Sequence, residues 1–270
     1  MIKQYGISEI KSISSEKERH IENIRLKGYT ILPSVIPQEY IEQCIPKIEH
    51  IYEKQKLEFG EDNLKAISEL DVVRLPLAYD ETFLAFIHQA VIMDILQAIF
   101  QNKFILHLQN AIINRPQTEH HQTSWHRDIP YQEYTTSKPI ALNVLYCLSP
   151  FNAQTGATKI LPYSHLRENF PSIEFAEHHA VYVEANAGDA VIFDSWLYHR
   201  ASVNTSDIVR YGLNHVFTLP ILKQQIDIPK AMKGKYNDTE PLKTLLGYTF
   251  ETPESVGDFR KNRLVKWQNL

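Results

Sequence analysis

The stretch Ala187-Gly188-Asp189-Ala190-Val191-Ile192-Phe193-Asp194-Ser195-Trp196-Leu197-Tyr198-His199 decides how this chain is read. Gly188-Asp189 supplies a turn, the apolar run after it makes a core strand, and a histidine arrives at the far end. Segments of similar texture surround it at 104–114, 122–128, 140–148, 157–161, 181–184 and 210–219, rich in Val, Ile, Leu and Tyr and separated by turn-forming clusters. Several strands at short spacing with polar turns predict a sandwich or closed barrel.

The first hundred residues have a different period. Apolar residues recur every three or four positions over 7–24, and a β-prone stretch follows at 29–32. A second helical pattern starts near Pro37, a favoured first-turn position, and runs towards Lys56; Pro46 is expected to kink it or delay its start. A third, over 81–100, is apolar on most faces and so should be buried. Helices packed on the outside of a β-core is the arrangement these periods predict. After Pro220 the pattern weakens: 233–238 reads as a loop, 242–246 as a helical turn, and the tail is mixed.

Composition limits the function classes. With 270 residues, 43% hydrophobic, 22% charged and only 9 glycines, the chain reads as ordinary globular protein with room for a substantial core. A formal charge of −4 provides no basic field for nucleic acid or an anionic membrane. No apolar run approaches the roughly 18 to 20 residues of a membrane span, and MIKQYGISEIKSISSEKERH lacks an apolar signal core, so a cytoplasmic protein is expected. Cys44 and Cys147 have apolar neighbours and read as buried thiols without a disulfide. Asn204-Thr205-Ser206 and Asn237-Asp238-Thr239 match a glycosylation pattern but read as turns.

The chemistry begins at Ser124-Trp125-His126-Arg127-Asp128-Ile129-Pro130-Tyr131. On an extended strand, residues i and i+2 share a face, so His126 and Asp128 converge while Trp125 and Arg127 point away. An H-x-D pair also occurs on many unrelated surface loops, and it gains meaning only with a third ligand, for which His199 is the candidate. Two imidazoles and one carboxylate on one face of an octahedral ion leave adjacent positions open, as a non-haem Fe(II) oxygenase needs for a chelating cosubstrate and O₂. Eleven residues beyond His199, across a hairpin-like linker, Arg210 offers a planar fork matched to a carboxylate. By the same alternation Asn110 and Asn114 share a face with Leu108 and Ile112, Asn143 with Leu145 and Cys147, and Asn214 with Arg210.

Blander readings hold for the other candidates. Trp125 reads as packing, and His165 as a turn or cap residue. Of His120 and His121 at most one can face a metal, and His178-His179 reads as a solvated loop. Arg74 and Lys138 are secondary basic candidates near the pocket.

Taken in order, Trp125-His126-Arg127-Asp128, Thr155 through His165, Ala187 through His199, and Asn204 through Arg210 resemble the phytanoyl-CoA dioxygenase family of Fe(II)/2-oxoglutarate oxygenases. The resemblance covers the β-core, roughly 106–219. It implies a double-stranded β-helix (jelly roll, cupin-like), mainly β with flanking helices, and Fe(II), 2-oxoglutarate and O₂ as cofactors. It also implies His126, Asp128 and His199 as iron ligands, Arg210 as the anchor of the distal carboxylate, and polar cosubstrate contacts on the strand of Asn110 and Asn114; alternation adds Asn143 as a candidate, and Ser202 is a further candidate contact as the hydroxyl nearest a family position from which this chain departs.

One domain over 1–270 is then expected, with a helical buttress at 1–100, a catalytic core at 104–219 and a C-terminal extension at 220–270. Two departures stand out. Tyr163 replaces the family's glycine in Pro162-Tyr163-Ser164-His165, and Ala201 sits where a small hydroxyl residue is common, leaving Ser202 as the nearest hydroxyl. Related halogenases lose the iron-binding carboxylate; Asp128 is present, which favours hydroxylation or another oxidation of a small molecule over halogenation. The rival readings are a silent jelly-roll module that binds a small acid or sugar, and a non-redox Zn or Mn cupin enzyme. Arg210 is the feature least expected in the latter.

Overall fold

A period of two organises the core of the computed structural model, which describes residues 12–118, 121–129 and 132–268. In chain order the elements are α1 (Glu16–Lys27), β1 (Tyr29–Leu32), α2 (Gln38–Phe59), α3 (Glu61–Ala66), β2 (Val72–Arg74), α4 (Ala90–Phe100), β3 (Ile105–Asn114), β4 (Ala141–Cys147) and β5 (Lys159–Ile160). They continue with α5 (Ile173–His179), β6 (Val181–Tyr182), β7 (Ala190–Asp194), β8 (His199–Arg200), β9 (Arg210–Thr218), α6 (Ile228–Ala231), α7 (Leu242–Leu246) and α8 (Val256–Gln268).

Among the described residues, six strands form an antiparallel sheet in the order β1-β7-β4-β9-β3-β2, and three short ones form a second in the order β6-β5-β8. On β4, Leu142, Val144 and Tyr146 face the helices, while Leu145 and Cys147 face the other sheet; on β7, Ala190 and Ile192 divide from Val191 and Phe193 in the same way. The helix-side cluster is the larger and takes in Ile48 of α2, Ile95 of α4 and Leu246 of α7. The fold is the double-stranded β-helix with flanking helices.

β1, β7 and α7 have the bounds the sequence predicts, and β3, β4 and β9 differ by a residue or so at an end. Strand 122–128 does not form. Its polar Gln122 and Thr123 lie in a 3₁₀ turn (His121–Thr123), and only His126 pairs in the β manner, with His199. The strands expected over 157–161 and 181–184 shrink to β5 and β6. The helix expected over 7–24 is α1, its start set by Ser15, whose side chain accepts a hydrogen bond from the Glu18 backbone N–H; residues 7–11 lie outside the described residues.

The helix expected over 81–100 is two pieces. Asp80 caps a 3₁₀ helix (Glu81–Phe86), and α4 begins afresh at Ala90. α2 runs through Pro46 without a break. His178 and His179 sit in the last turn of α5, not in a loop. Tyr163 keeps the left-handed conformation (φ 69°) that glycine would adopt with less strain. Cys44 and Cys147 are free and buried, and burial pushes the Cys44 thiol up to about 12. Asn204 is buried and closes a turn, its amide donating to the carbonyls of Asn114 and Ile208. No helix among the described residues is long and apolar enough to cross a membrane.

Candidate metal centre

Three ligand-type side chains meet where the two sheets approach. His199 opens β8 immediately after the turn that ends β7, and His126 is bridged to it by two backbone hydrogen bonds of 3.0 Å each. That bridge fixes the two imidazoles side by side, ring centroids 4.4 Å apart. Asp128, two residues further, completes the group: its Oδ1 lies 3.6 Å from His126 Nε2 and 3.4 Å from His199 Nε2. One ligand atom from each residue lies within 4.8 Å of the other two. Cis ligands about 2 Å from an octahedral ion stand about 3 Å apart, so this spacing fits a metal after a small contraction.

The tautomers fit as well. His126 Nδ1 lies 2.8 Å from the Ser124 carbonyl and His199 Nδ1 2.9 Å from the Leu197 carbonyl. A carbonyl only accepts, so each Nδ1 carries the hydrogen and each Nε2 lone pair is left for a metal. Asp128 is held from behind: the Asn143 amide donates to its Oδ2, the Asn214 amide does so at 3.4 Å, and Ser195 Oγ donates to Asn143 Oδ1. Burial would raise the Asp128 carboxyl, but the neighbouring imidazoles, His199 foremost, outweigh it and hold the group well below the usual carboxylate range. For His126, burial favours the neutral ring, and the stronger combined pull of Asp128 raises it.

Arg210 opens β9 and lines the same pocket, with Ile112, Leu145, Thr158, Phe193 and Ala201 around it. Arg210 is 2% exposed, and its guanidinium lies over the Phe151 ring at 4.5 Å and has no carboxylate partner among the described residues. Its Nε has no hydrogen-bond partner either. Burial pushes it down to about 10. A buried cation without a counter-charge is costly unless a ligand supplies one, and this one faces the cavity that the two histidines and Asp128 also face.

The remaining predicted contacts divide. Asn110 lines an adjoining compartment of ≈ 350 Å³ together with Arg74, Ser124 and Gln225; Gln122 and Asn214 line both compartments, or a wall shared by them. Asn114 lies beyond the pocket wall at the end of β3, where its amide donates to the carbonyls of Gly156 and Ser202. The Ser202 hydroxyl is buried without a partner, and Ala201 takes the place on the wall. Asn143 reaches Asp128, not the open pocket.

His165 is buried against Gly28 with Nε2 3.2 Å from the Arg25 carbonyl, well away from the triad's role, and Trp125 packs on Phe170 while donating to Glu177. Lys138 is exposed. His120, and the side chain of His121, lie outside the described residues.

Arg127, read from sequence only as pointing away, is buried and donates to the backbone carbonyls of Gln132, Tyr134, Ser164, Arg167 and Glu168 while stacking on Tyr198 at 3.9 Å. It ties the segment that carries His126 and Asp128 to two loops. Carbonyl acceptors carry no side-chain signature, so no sequence signal announces this role; an arginine between two candidate ligands is the only hint.

Comparison with known proteins agrees with this architecture. The sequence model of the family described as phytanoyl-CoA dioxygenase (PhyH) matches residues 24–212. An uncharacterized protein of Mycobacterium tuberculosis is 31% identical over 230 residues, 82% of this chain and 83% of its own. Among solved structures, the apo form of ThoJ, a non-haem monooxygenase, superposes with a TM-score of 0.60 at 17% identity, covering 77% of this chain and 80% of that one. The epimerase SnoN, in complex with Fe3+, alpha-ketoglutarate and nogalamycin RO, does so at 0.57 and 16% identity over 75% and 83%. The chain belongs to the phytanoyl-CoA dioxygenase family, non-haem enzymes of the oxygenase type that use Fe(II), 2-oxoglutarate and O₂.

Proposed function

We propose that this protein hydroxylates a C–H bond of a small molecule while 2-oxoglutarate is converted to succinate and CO₂, with His126, Asp128 and His199 as the iron ligands and Arg210 as the anchor of the cosubstrate's distal carboxylate. One observation carries the reading: a metal-type triad and an unpaired buried guanidinium open on the same pocket. A dicarboxylate with one end at the triad and the other at Arg210 satisfies both at once.

Iron with 2-oxoglutarate supplies the activation of O₂ that no side chain can provide. The residues do the rest. Ser124 and Leu197 carbonyls orient the two imidazoles, Asn143 and Asn214 hold Asp128 in place, and Ile112, Leu145 and Phe193 keep water off the cosubstrate. Arg210 both neutralises and aligns the distal carboxylate.

The test is aerobic incubation with Fe(II) and 2-oxoglutarate. Succinate formation is expected, dependent on both additions and on O₂, and lost in His199→Ala; formation that persists in that variant, or none under any condition, would refute the proposal.

A further inference from the structure

Asn143 and Asn214 brace Asp128 from the larger sheet. The pairing of His126 with His199 is a separate matter. The two residues exchange both backbone hydrogen bonds, at 3.0 Å each, but the bridge is isolated and no ladder continues it. Two strands joined over so short a length are weak by themselves, so side chains have to hold the two imidazoles at a metal-binding spacing.

Antiparallel register puts Trp125 opposite Arg200 and Arg127 opposite Tyr198, one pair on each side of the bridge. Both pairs are cation–π contacts, with the Arg200 guanidinium 5.3 Å from the Trp125 ring and that of Arg127 3.9 Å from the Tyr198 ring. His126 and His199 line the pocket, so by alternation Trp125 and Arg200 point away from it. Arg127 is fixed further by the backbone carbonyls named above. On the side of Trp125 and Arg200, the acceptor is Glu177. Its Oε1 accepts from Trp125 Nε1 at 3.0 Å and lies 2.9 Å from Arg200 Nη2. Its Oε2 accepts from Arg200 Nη2 at 3.0 Å and from Lys159 Nζ at 2.8 Å. Lys159 is itself the β5 partner of Arg200. One carboxylate thus joins the residue before His126, the residue after His199 and the strand beside it.

Glu177 has a firm base. It lies in α5, where Ser172 caps the first turn and the neighbouring Ala176 is buried in a cluster with Leu161 and Tyr198. The Glu177 side chain is 37% exposed, and ion pairs this exposed stabilise a fold little. Donors from three separate segments make it a point of alignment instead.

We propose that Glu177 is a positioning residue for the metal centre: by holding Trp125 and Arg200 together on the outer face, it fixes the spacing of His126 and His199 on the inner one. This rests on the assignment of His126, Asp128 and His199 as ligands, and it adds a residue that touches neither metal nor cosubstrate.

The experiment is anaerobic titration of the full chain with Fe(II), paired with the visible absorption bands of the Co(II)-loaded protein, which report the arrangement of the ligands. Glu177→Ala is expected to lose about 10-fold in Fe(II) affinity and to shift the Co(II) bands. Two milder variants should each give a smaller loss, and they carry the test should Glu177→Ala fail to fold. Glu177→Gln keeps an acceptor for Trp125 and drops the charge; Trp125→Phe keeps a ring beneath Arg200 and drops the N–H. Fe(II) affinity or Co(II) bands that stay at their wild-type values in the folded variants would overturn the proposal. A lowered melting temperature of the metal-free protein with both readouts unmoved is what a merely structural role predicts, and it overturns the proposal too. Wild-type protein that takes up Fe(II), loses it in His199→Ala and is indifferent to Glu177 sinks only this inference; wild-type protein that binds no Fe(II) sinks the ligand assignment beneath it.

Discussion

The two sheets contribute to the site in different ways. The larger one has strands of up to ten residues, long ladders and a helix-packed rear face, and it supplies Arg210, Asn143 and Asn214. The smaller one has strands of two residues and supplies His199, with His126 attached by a single bridge. The three candidate ligands therefore hang from the weakly paired side, while the groups that orient them belong to the rigid side. Precision at the triad is borrowed across the gap, through the contact of Asn143 and Asn214 with Asp128.

Removing a ligand should have the largest effect. Asp128→Ala is expected to lose bound iron and at least about 100-fold in succinate formation with the secondary structure intact, checked by iron quantification and circular dichroism. Next is the rigid side's charge. Arg210→Leu should weaken 2-oxoglutarate binding about 100-fold, through loss of a charge-assisted pair of about 3 kcal/mol. Its melting temperature should not fall, because the substitution also removes a buried cation that has no carboxylate partner among the described residues; a marked drop would show that Arg210 is structural.

Asn143→Leu probes the link between the sheets, and iron affinity should fall about 10-fold while 2-oxoglutarate affinity in the iron-loaded protein changes little. Arg127→Met reverses the pattern: a stability loss of about 3 kcal/mol by denaturant unfolding, from several carbonyls left without their donor, exceeds its effect on iron binding.

The smallest effect concerns pH. In the metal-free protein the raised His126 contributes stability that is present below the ordinary imidazole value and is lost as pH rises through the raised one. The depressed Asp128 contributes stability present above the ordinary carboxylate value and lost only as pH falls through the depressed one. Iron needs both rings neutral, so the gap in melting temperature between loaded and metal-free protein should widen from about pH 6 to about pH 8. A gap that narrows would contradict the ligand assignment of His126.

Much of this was legible in residue order. β7 is apolar on both faces, β9 interleaves Leu213, Val216 and Phe217 with polar residues, and both follow turn-forming clusters, so the arrival of His199 and Arg210 could be read directly. The i, i+2 spacing of His126 and Asp128 placed them together even though strand 122–128 does not form, because one bridge is enough to extend the backbone there. Alternation found the face of Asn143 but not its partner, and put Asn114 on the pocket side without showing that a loop covers it. β2 is three residues long and shows no period, so Arg74, which lines the compartment beside the triad, could be named but not placed.

The central claim is that two histidines, one aspartate and one arginine form a single site. Anaerobic titration with Fe(II), with and without 2-oxoglutarate, tests it most directly. One ion per chain should bind, more tightly when 2-oxoglutarate is present, with the ion lost in Asp128→Ala and only the 2-oxoglutarate enhancement lost in Arg210→Leu. Iron binding that is unchanged by Asp128→Ala, or an enhancement that survives Arg210→Leu, would contradict it.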